Sequence, residues 1–288
     1  MDIGIGLPAA IPGVEPHLIL DWARRADAGP FSSLGVIDRV VYPNFEPLIS
    51  LAAAAAVTER IRLMTTVVLA PLRNAGVLAK QAASLDALSG GRLTLGLGLG
   101  GREDDFRAAP APYYGRAQRF EGQLAMMKQI WSGQPPAEGL GPVGPPPARA
   151  GGPELLLGGY VPAAIQRVGK WADGFITGGV ADPGQAHQLY EIAEASWKAE
   201  GRSGRPRFVG GIYYALGAKA QEGVRSYILD YYGYFGPAAE EMAKTFPASA
   251  EAVKEKIRGF RDVGMDELVF FPCVADLEQL EQLANLVD

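Results

Sequence analysis

Short apolar runs alternate with amphipathic stretches along most of the chain. Ile3 to Leu7 is too short for a helix and is closed by Pro8, so it reads as a strand. Ile19, Trp22, Ala23 and Ala26 then recur at helical spacing until Gly29–Pro30, and Leu34 to Ile37 form the next apolar run. The alternation continues with a helix over Pro47–Val57, a strand over Ile61–Leu69, a helix over Val77–Leu88 and a strand over Arg92–Leu99. Phe120, Leu124, Met127 and Trp131 make one apolar stripe of a fourth helix. From Ser132 to Pro153 the chain turns to Gly and Pro, including Pro145, Pro146 and Pro147, which supply no amide donors. Residues 132–153 therefore read as an irregular insertion. Beyond it come a strand Glu154–Leu157, a helix Ala163–Ala172, a strand Gly174–Thr177, a helix Gly184–Ala199 and a strand Arg207–Leu216. A helical region Lys219–Lys244 is broken at Gly236–Pro237. Val253, Ile257 and Phe260 mark another helix, followed by a strand Glu267–Phe271 and a last helix Leu277–Leu286. Eight strands alternating with helices, and no Gly/Ser linker, predict an α/β chain closed as one (β/α)8 barrel domain over residues 1–288. An open doubly wound sheet is the other arrangement of the same units.

Composition narrows the function classes. Of 288 residues 48% are apolar and 20% charged, which suits a packed core and not a disordered chain. A formal charge of -5 argues against nucleic acid as a partner, because that affinity comes from clustered Lys and Arg. The single Cys273 cannot form an internal disulfide, and His17 and His187 are too far apart in sequence to make a His-rich metal site. No metal is expected. Met1-Asp2-Ile3 lacks a basic leader, and no apolar run reaches the roughly 18 residues of a membrane span, so a cytoplasmic protein without a membrane partner is expected.

In a barrel, chemistry belongs at the C-terminal strand ends. There the sequence places Pro8, Asp38-Arg39, Thr65-Thr66-Val67, Gly100-Gly101, Gly158-Gly159-Tyr160, Gly178-Gly179, Tyr213-Tyr214 and Pro272-Cys273. This rim is rich in glycine and tyrosine but offers one obvious carboxylate and no histidine. Hydrolysis or enolisation needs more acid/base equipment, whereas a bound cofactor needs only a slot, an anchor and a shaped field. Gly96-Leu97-Gly98-Leu99-Gly100-Gly101 matches G-x-G-x-x-G, yet the position where a dinucleotide fold needs an acidic strand end, Gln118 to Glu121, lies inside a helix. Gly96 and Gly98 instead read as the small face of a barrel strand, and Gly100 and Gly101 as a close approach for a ligand. Arg102 beside this flexible pair reads either as a phosphate clamp or as one side of a surface salt bridge. Glu103, Asp104 and Asp105 read as caps on the next helix. The turn Gly158-Gly159-Tyr160 offers amides at a helix start.

Thr58-Glu59-Arg60-Ile61-Arg62-Leu63, Pro71-Leu72-Arg73, Ala79 to Asp86, Ser89-Gly90-Gly91-Arg92 and Gly96 to Phe106, with Gly158-Gly159 and Ala172 to Phe175, resemble the bacterial luciferase-like flavin oxidoreductases over most of residues 1–180. The resemblance implies a TIM barrel of the luciferase-like type holding reduced FMN, or in one branch F420. It implies a ring over the strand ends at Leu7, Thr65, Thr66, Val67, Gly100 and Gly101, with a non-prolyl cis peptide near Thr66–Val67. The phosphate tail would lie at Arg102, Gly158, Gly159 and Tyr160, and Asp38 and Arg39 would face substrate as the catalytic pair. Asp38-Arg39 stands where several members carry an acidic residue followed by His, so no imidazole is present, and Arg39 is expected to bind an anionic substrate or to pair with Asp38. Tyr160 stands where Ser or Thr is common, and the insertion is short, which disfavours a large lid. The implied activity is a monooxygenase using reduced FMN and O2 on a small organic substrate, with a separate flavin reductase as supplier. An F420-dependent hydride transferase and a non-catalytic flavin-binding protein are the alternatives. A homodimer through the second and third helices, along Ala52 to Ala56, is also implied. Tyr113, Tyr114, Tyr213 and Tyr214 are candidates for the pocket wall, and Tyr231, Tyr232 and Tyr234 for the pocket or an oligomer interface.

Overall fold

In the computed structural model, which describes residues 1–287, the apolar runs pair side by side and in parallel. They are β1 (Asp2–Gly6), β2 (Ser33–Val36), β3 (Arg62–Thr65), β4 (Val68–Leu69), β5 (Leu93–Gly98), β6 (Glu154–Gly158), β7 (Gly174–Gly178), β8 (Arg207–Tyr214) and β9 (Glu267–Pro272). The ring closes because β5 pairs with both β3 and β4, the two halves of one barrel strand. The result is the eight-stranded (β/α)8 barrel predicted, not an open sheet. The run read as one strand over Ile61–Leu69 is interrupted. Met64 pairs with Thr94 and Val68 with Leu97, so this strand advances four residues while β5 advances three, and one residue is extruded. The cis peptide Thr66–Val67 lies in that bulge, where the resemblance placed it.

The helices are α1 (Pro16–Ala28), α2 (Pro47–Ala55), α3 (Ala75–Leu88), α4 (Glu103–Ala108), α5 (Arg116–Trp131), α6 (Pro162–Ile165), α7 (Arg167–Trp171), α8 (Pro183–Ala199), α9 (Ala220–Tyr232), α10 (Pro237–Thr245), α11 (Ala250–Asp262) and α12 (Leu277–Val287). Several open on proline, whose missing N–H is surplus in a first turn, and Asn74, Asp182 and Ser249 accept the orphan amides of α3, α8 and α11. Two predicted helices differ. The span Ala163–Ala172 is divided between α6 and α7, and the acidic run after Arg102 forms its own short helix, α4. The predicted break before α10 is present, as a 3-10 turn over Gly233–Phe235 ending at Gly236.

Alternate residues of β9 fill the barrel in layers. At the base, Glu267 lies in a buried ion network with Arg207, Ser32 and Ser33, next to Glu154, which accepts from Arg62 Nη2 at 2.6 Å, Arg207 Nη1 at 2.5 Å and Thr94 Oγ1 at 2.7 Å. Val269 stands above it, and Phe271 forms the upper layer. Room for the Phe271 ring comes from glycine: β-carbons added at Gly35 and Gly211 would lie 2.9 and 3.1 Å from it. On the other side of the barrel Val67, projected by the bulge, rests on Gly98 and Gly158, whose added β-carbons would lie 2.5 and 3.3 Å from it.

The motifs that carry the family resemblance mostly hold the base. Asp27 accepts the amides of Glu59, Arg60 and Ile61, while Arg60 donates to carbonyls of Ala26, Asp27, Gly29 and Phe31. Arg92 donates to Ser89, Thr58, Ile61 and Ala55. The insertion 132–153 is irregular as expected, and it also lies away from the mouth. It joins the end of α5 to the start of β6, so it belongs to the N-terminal side of the barrel. Lys80 Nζ donates to Gly144 O at 2.8 Å, and Ala148 N to Asp86 Oδ2 at 2.8 Å, fixing it against α3.

Candidate functional site

The C-terminal ends of the strands form a mouth whose floor is Phe271 and Val67. Below them the interior is closed, and around them Thr66, Val67, Leu99, Gly158 and Gly178 become half-buried. A β-carbon at Gly178 would meet only the Thr66 carbonyl, at 4.0 Å, and one at Gly101 would meet nothing within 4 Å. An apolar floor with open glycine edges can accept a flat ring. Leu7 lies beneath, its amide donating to Gly35 O at 2.8 Å. The Thr65 hydroxyl is spent on Gly96 O at 2.7 Å, and Thr66 donates its amide and hydroxyl to Val36 O at 2.8 and 2.9 Å. Gly100 has φ 71°, and its carbonyl accepts from Arg116 Nε at 3.2 Å; Tyr113 donates to Gly101 O, also at 3.2 Å. These bonds hold the loop open.

Asp38 and Arg39 sit together at the end of β2 but do not pair with each other. Asp38 Oδ2 accepts from Leu69 N and Arg73 Nη2, both at 3.0 Å, and Arg73 Nη1 also bonds Glu46 at 2.6 Å. Burial pushes the Asp38 carboxyl above its ordinary value, against the opposing pull of Arg73 and the Leu69 amide. Arg39, with a side chain only 5% exposed, donates Nε to Asp105 Oδ2 at 2.7 Å and Nη2 to Asp104 Oδ2 and Val41 O at 3.1 Å. Its Nη1 is buried and has no hydrogen-bond partner. Asp104 and Asp105, read from sequence as helix caps, thus reach across to the β2 loop. Their chemistry was legible, but the short loop between Arg102 and α4 that aims them was not.

Arg102, expected beside the Gly158-Gly159 turn, is turned toward the end of α9. Its Nη2 donates to Tyr231 O at 2.6 Å, and its guanidinium lies 3.9 Å from the Tyr234 ring centroid and 4.9 Å from that of Tyr231. At the other turn Tyr160 donates to Gly178 O, and an added β-carbon at Gly159 would lie 2.8 Å from Ala164 Cβ, so close helix packing requires that glycine. The helix that follows, α6, has four residues, which leaves little dipole behind the turn amides.

Tyr213 lines the mouth against Phe271 and Tyr231, with its hydroxyl 3.0 Å from that of Tyr232. Tyr214 points the other way and donates to Gln279 O at 3.0 Å in the helix layer, and Tyr114 is exposed, so neither walls the mouth. Tyr231 is buried beside Tyr213 and Tyr42, whereas Tyr234 is exposed and packs on Arg102. Tyr42 bonds Asp230 and meets the Tyr231 ring edge-on at 5.0 Å, so the β2 loop and α9 join across it. Phe271, Arg73 and Glu46 were missed because only the barrel's register reveals their neighbours. Among the described residues no cluster of three or more His, Cys, Asp or Glu is placed to hold a metal ion, and no helix is long and apolar enough to cross a membrane.

The pattern of a family described as luciferase-like monooxygenase matches residues 1–284. An uncharacterised protein of Mycobacterium tuberculosis is 31% identical over 203 residues, which span 68% of this chain and 71% of its own. The monooxygenase RslO1 from Streptomyces bottropensis superposes with a TM-score of 0.80 at 20% identity, covering 100% of this chain and 98% of its own. A coenzyme F420 dependent tetrahydromethanopterin reductase from Methanopyrus kandleri superposes with a TM-score of 0.77 at 20% identity, covering 99% and 98%.

Proposed function

Because the chain belongs to the luciferase-like monooxygenase family, we propose that it is an oxidoreductase binding reduced FMN at the barrel mouth and oxygenating a small organic substrate with O2. The observation that carries this reading is the pairing of an open, glycine-edged apolar floor with a buried rim carboxylate, Asp38, beside which Asp104 and Asp105 are taken up by Arg39 and Glu46 by Arg73. Reduced flavin supplies the electrons for O2 activation when bound. Val67 and Phe271 support the ring. Arg102 takes the phosphate. Asp38 holds or releases a proton beside the substrate, and the tyrosines of α9 limit water access. A separate reductase supplies the reduced flavin, and the protein is cytoplasmic. Ile49 on α2 and Val77 on α3, both exposed and apolar, support a homodimer through those helices.

One feature favours a second reading, hydride transfer with F420. Ketone reduction needs one proton donor beside the hydride site, and a carboxyl with a raised pKa suits that role. Anaerobic titration with FMN and F420, each oxidised and reduced, tests both readings. Tight binding of reduced FMN followed by O2-dependent substrate oxidation supports the first. Binding and oxidation of reduced F420 alone overturns it in favour of the second, and binding without turnover of any substrate marks a flavin carrier.

A further inference from the structure

Most arginines of this chain that reach a carboxylate use it, among them Arg39, Arg62, Arg73, Arg149 and Arg207. Arg102 does not. Although Glu103, Asp104 and Asp105 follow it directly, it makes no ion pair among the described residues. What holds it is the far side of the mouth: the Tyr231 carbonyl on one nitrogen and the Tyr234 ring against the guanidinium. Tyr234 is 57% exposed and Phe235 49%, so the 3-10 turn that carries them is not placed there by core burial. It is bracketed by Gly233 and by Gly236, whose φ of 60° and ψ of -133° only glycine adopts readily.

We infer that Tyr231 and Tyr234 form a cradle from the opposite side of the barrel that orients Arg102 as an uncompensated cation for a phosphate ester. Tyr234 is thus a positioning residue that acts through Arg102. A guanidinium fixed by one carbonyl and one aromatic face keeps its remaining N–H groups for a ligand, and with no carboxylate to displace it offers full charge to an incoming anion. This rests on the cofactor reading above and adds to it the residues that set affinity for the phosphorylated form.

The test compares FMN with riboflavin, which lacks the phosphate, by fluorescence titration of wild type, Tyr234→Leu, Tyr234→Phe and Arg102→Gln. If F420 is the cofactor bound, the phosphate-free deazaflavin core replaces riboflavin. Tyr234→Leu is expected to weaken FMN roughly 2- to 5-fold, the range of a cation–π contact, and to leave riboflavin unchanged. Tyr234→Phe restores FMN affinity because it keeps the aromatic face, and Arg102→Gln abolishes most of the preference for FMN over riboflavin. Equal loss for both ligands in Tyr234→Leu makes Tyr234 a wall of the ring slot and overturns the inference, as does unchanged FMN affinity in Tyr234→Leu or Arg102→Gln. A wild type that binds neither FMN nor F420 overturns the cofactor reading itself, and this inference with it.

Discussion

Asp105 accepts the Nε proton of Arg39 at 2.7 Å, and its other oxygen accepts the amides of Val40 and Val41 at 3.0 and 2.7 Å. One fully buried carboxylate therefore fixes both the guanidinium and the backbone of the β2 loop. Removing it leaves Arg39 with only Asp104 and the Val41 carbonyl, and leaves two loop amides without their acceptor, so Asp105→Ala is expected to cost about 3 kcal/mol in urea unfolding. Asp105→Asn, which retains an acceptor, should cost less. Equal costs for the two would show that the lost charge, and not the missing acceptor, accounts for the whole effect.

Phe271 rests on Gly6, and a β-carbon added there would lie 2.7 Å from Phe271 Cε1. Gly6→Ala should cost about 1–3 kcal/mol through overpacking, and Phe271→Leu in the same chain should recover part of that loss. Additive costs in the double-mutant cycle would place the strain elsewhere.

Asp38 links stability to pH. Its carboxyl is held above the ordinary 3.8 by burial, so the folded chain binds this proton more tightly than the unfolded chain does. The contribution is complete below pH 3.8 and is lost as pH rises through the raised value. Thermal melts from acid to neutral pH should show wild type losing ground to Asp38→Asn over that interval. A constant difference would mean that Arg73 and the Leu69 amide cancel the effect of burial.

Arg92 belongs to the most specific stretch of sequence in the chain, Ser89-Gly90-Gly91-Arg92, yet all its partners lie at the base. Arg92→Met leaves several carbonyls without donors and should destabilise by about 2–4 kcal/mol, while flavin affinity of the folded protein stays within about 2-fold. A large loss of affinity at full stability would give Arg92 a functional role that its contacts do not predict.

Periodicity revealed the order of strands and helices, including the break at Gly236–Pro237, and left an open doubly wound sheet beside the closed barrel that the family resemblance favoured. Family resemblance located the bulge at Thr66–Val67, which hydrophobic patterning had smoothed into one strand. The site was less legible. Asp38 and Arg39 could be placed at the mouth, but their partners Arg73, Asp104 and Asp105 lie about 35 and 66 residues away, a proximity created only by barrel closure. The glycines were ambiguous for a physical reason: the same missing side chain admits Phe271, Val67 or a ligand, and which one enters depends on what faces it.

The Gly/Pro stretch between α5 and β6 has a practical use. With the stretch anchored at Pro135, Gly144 and Ala148, residues 137–142 are exposed at the end of the barrel opposite the mouth. A fluorophore, affinity tag or surface tether grafted into that span would leave the open face unobstructed for its ligands.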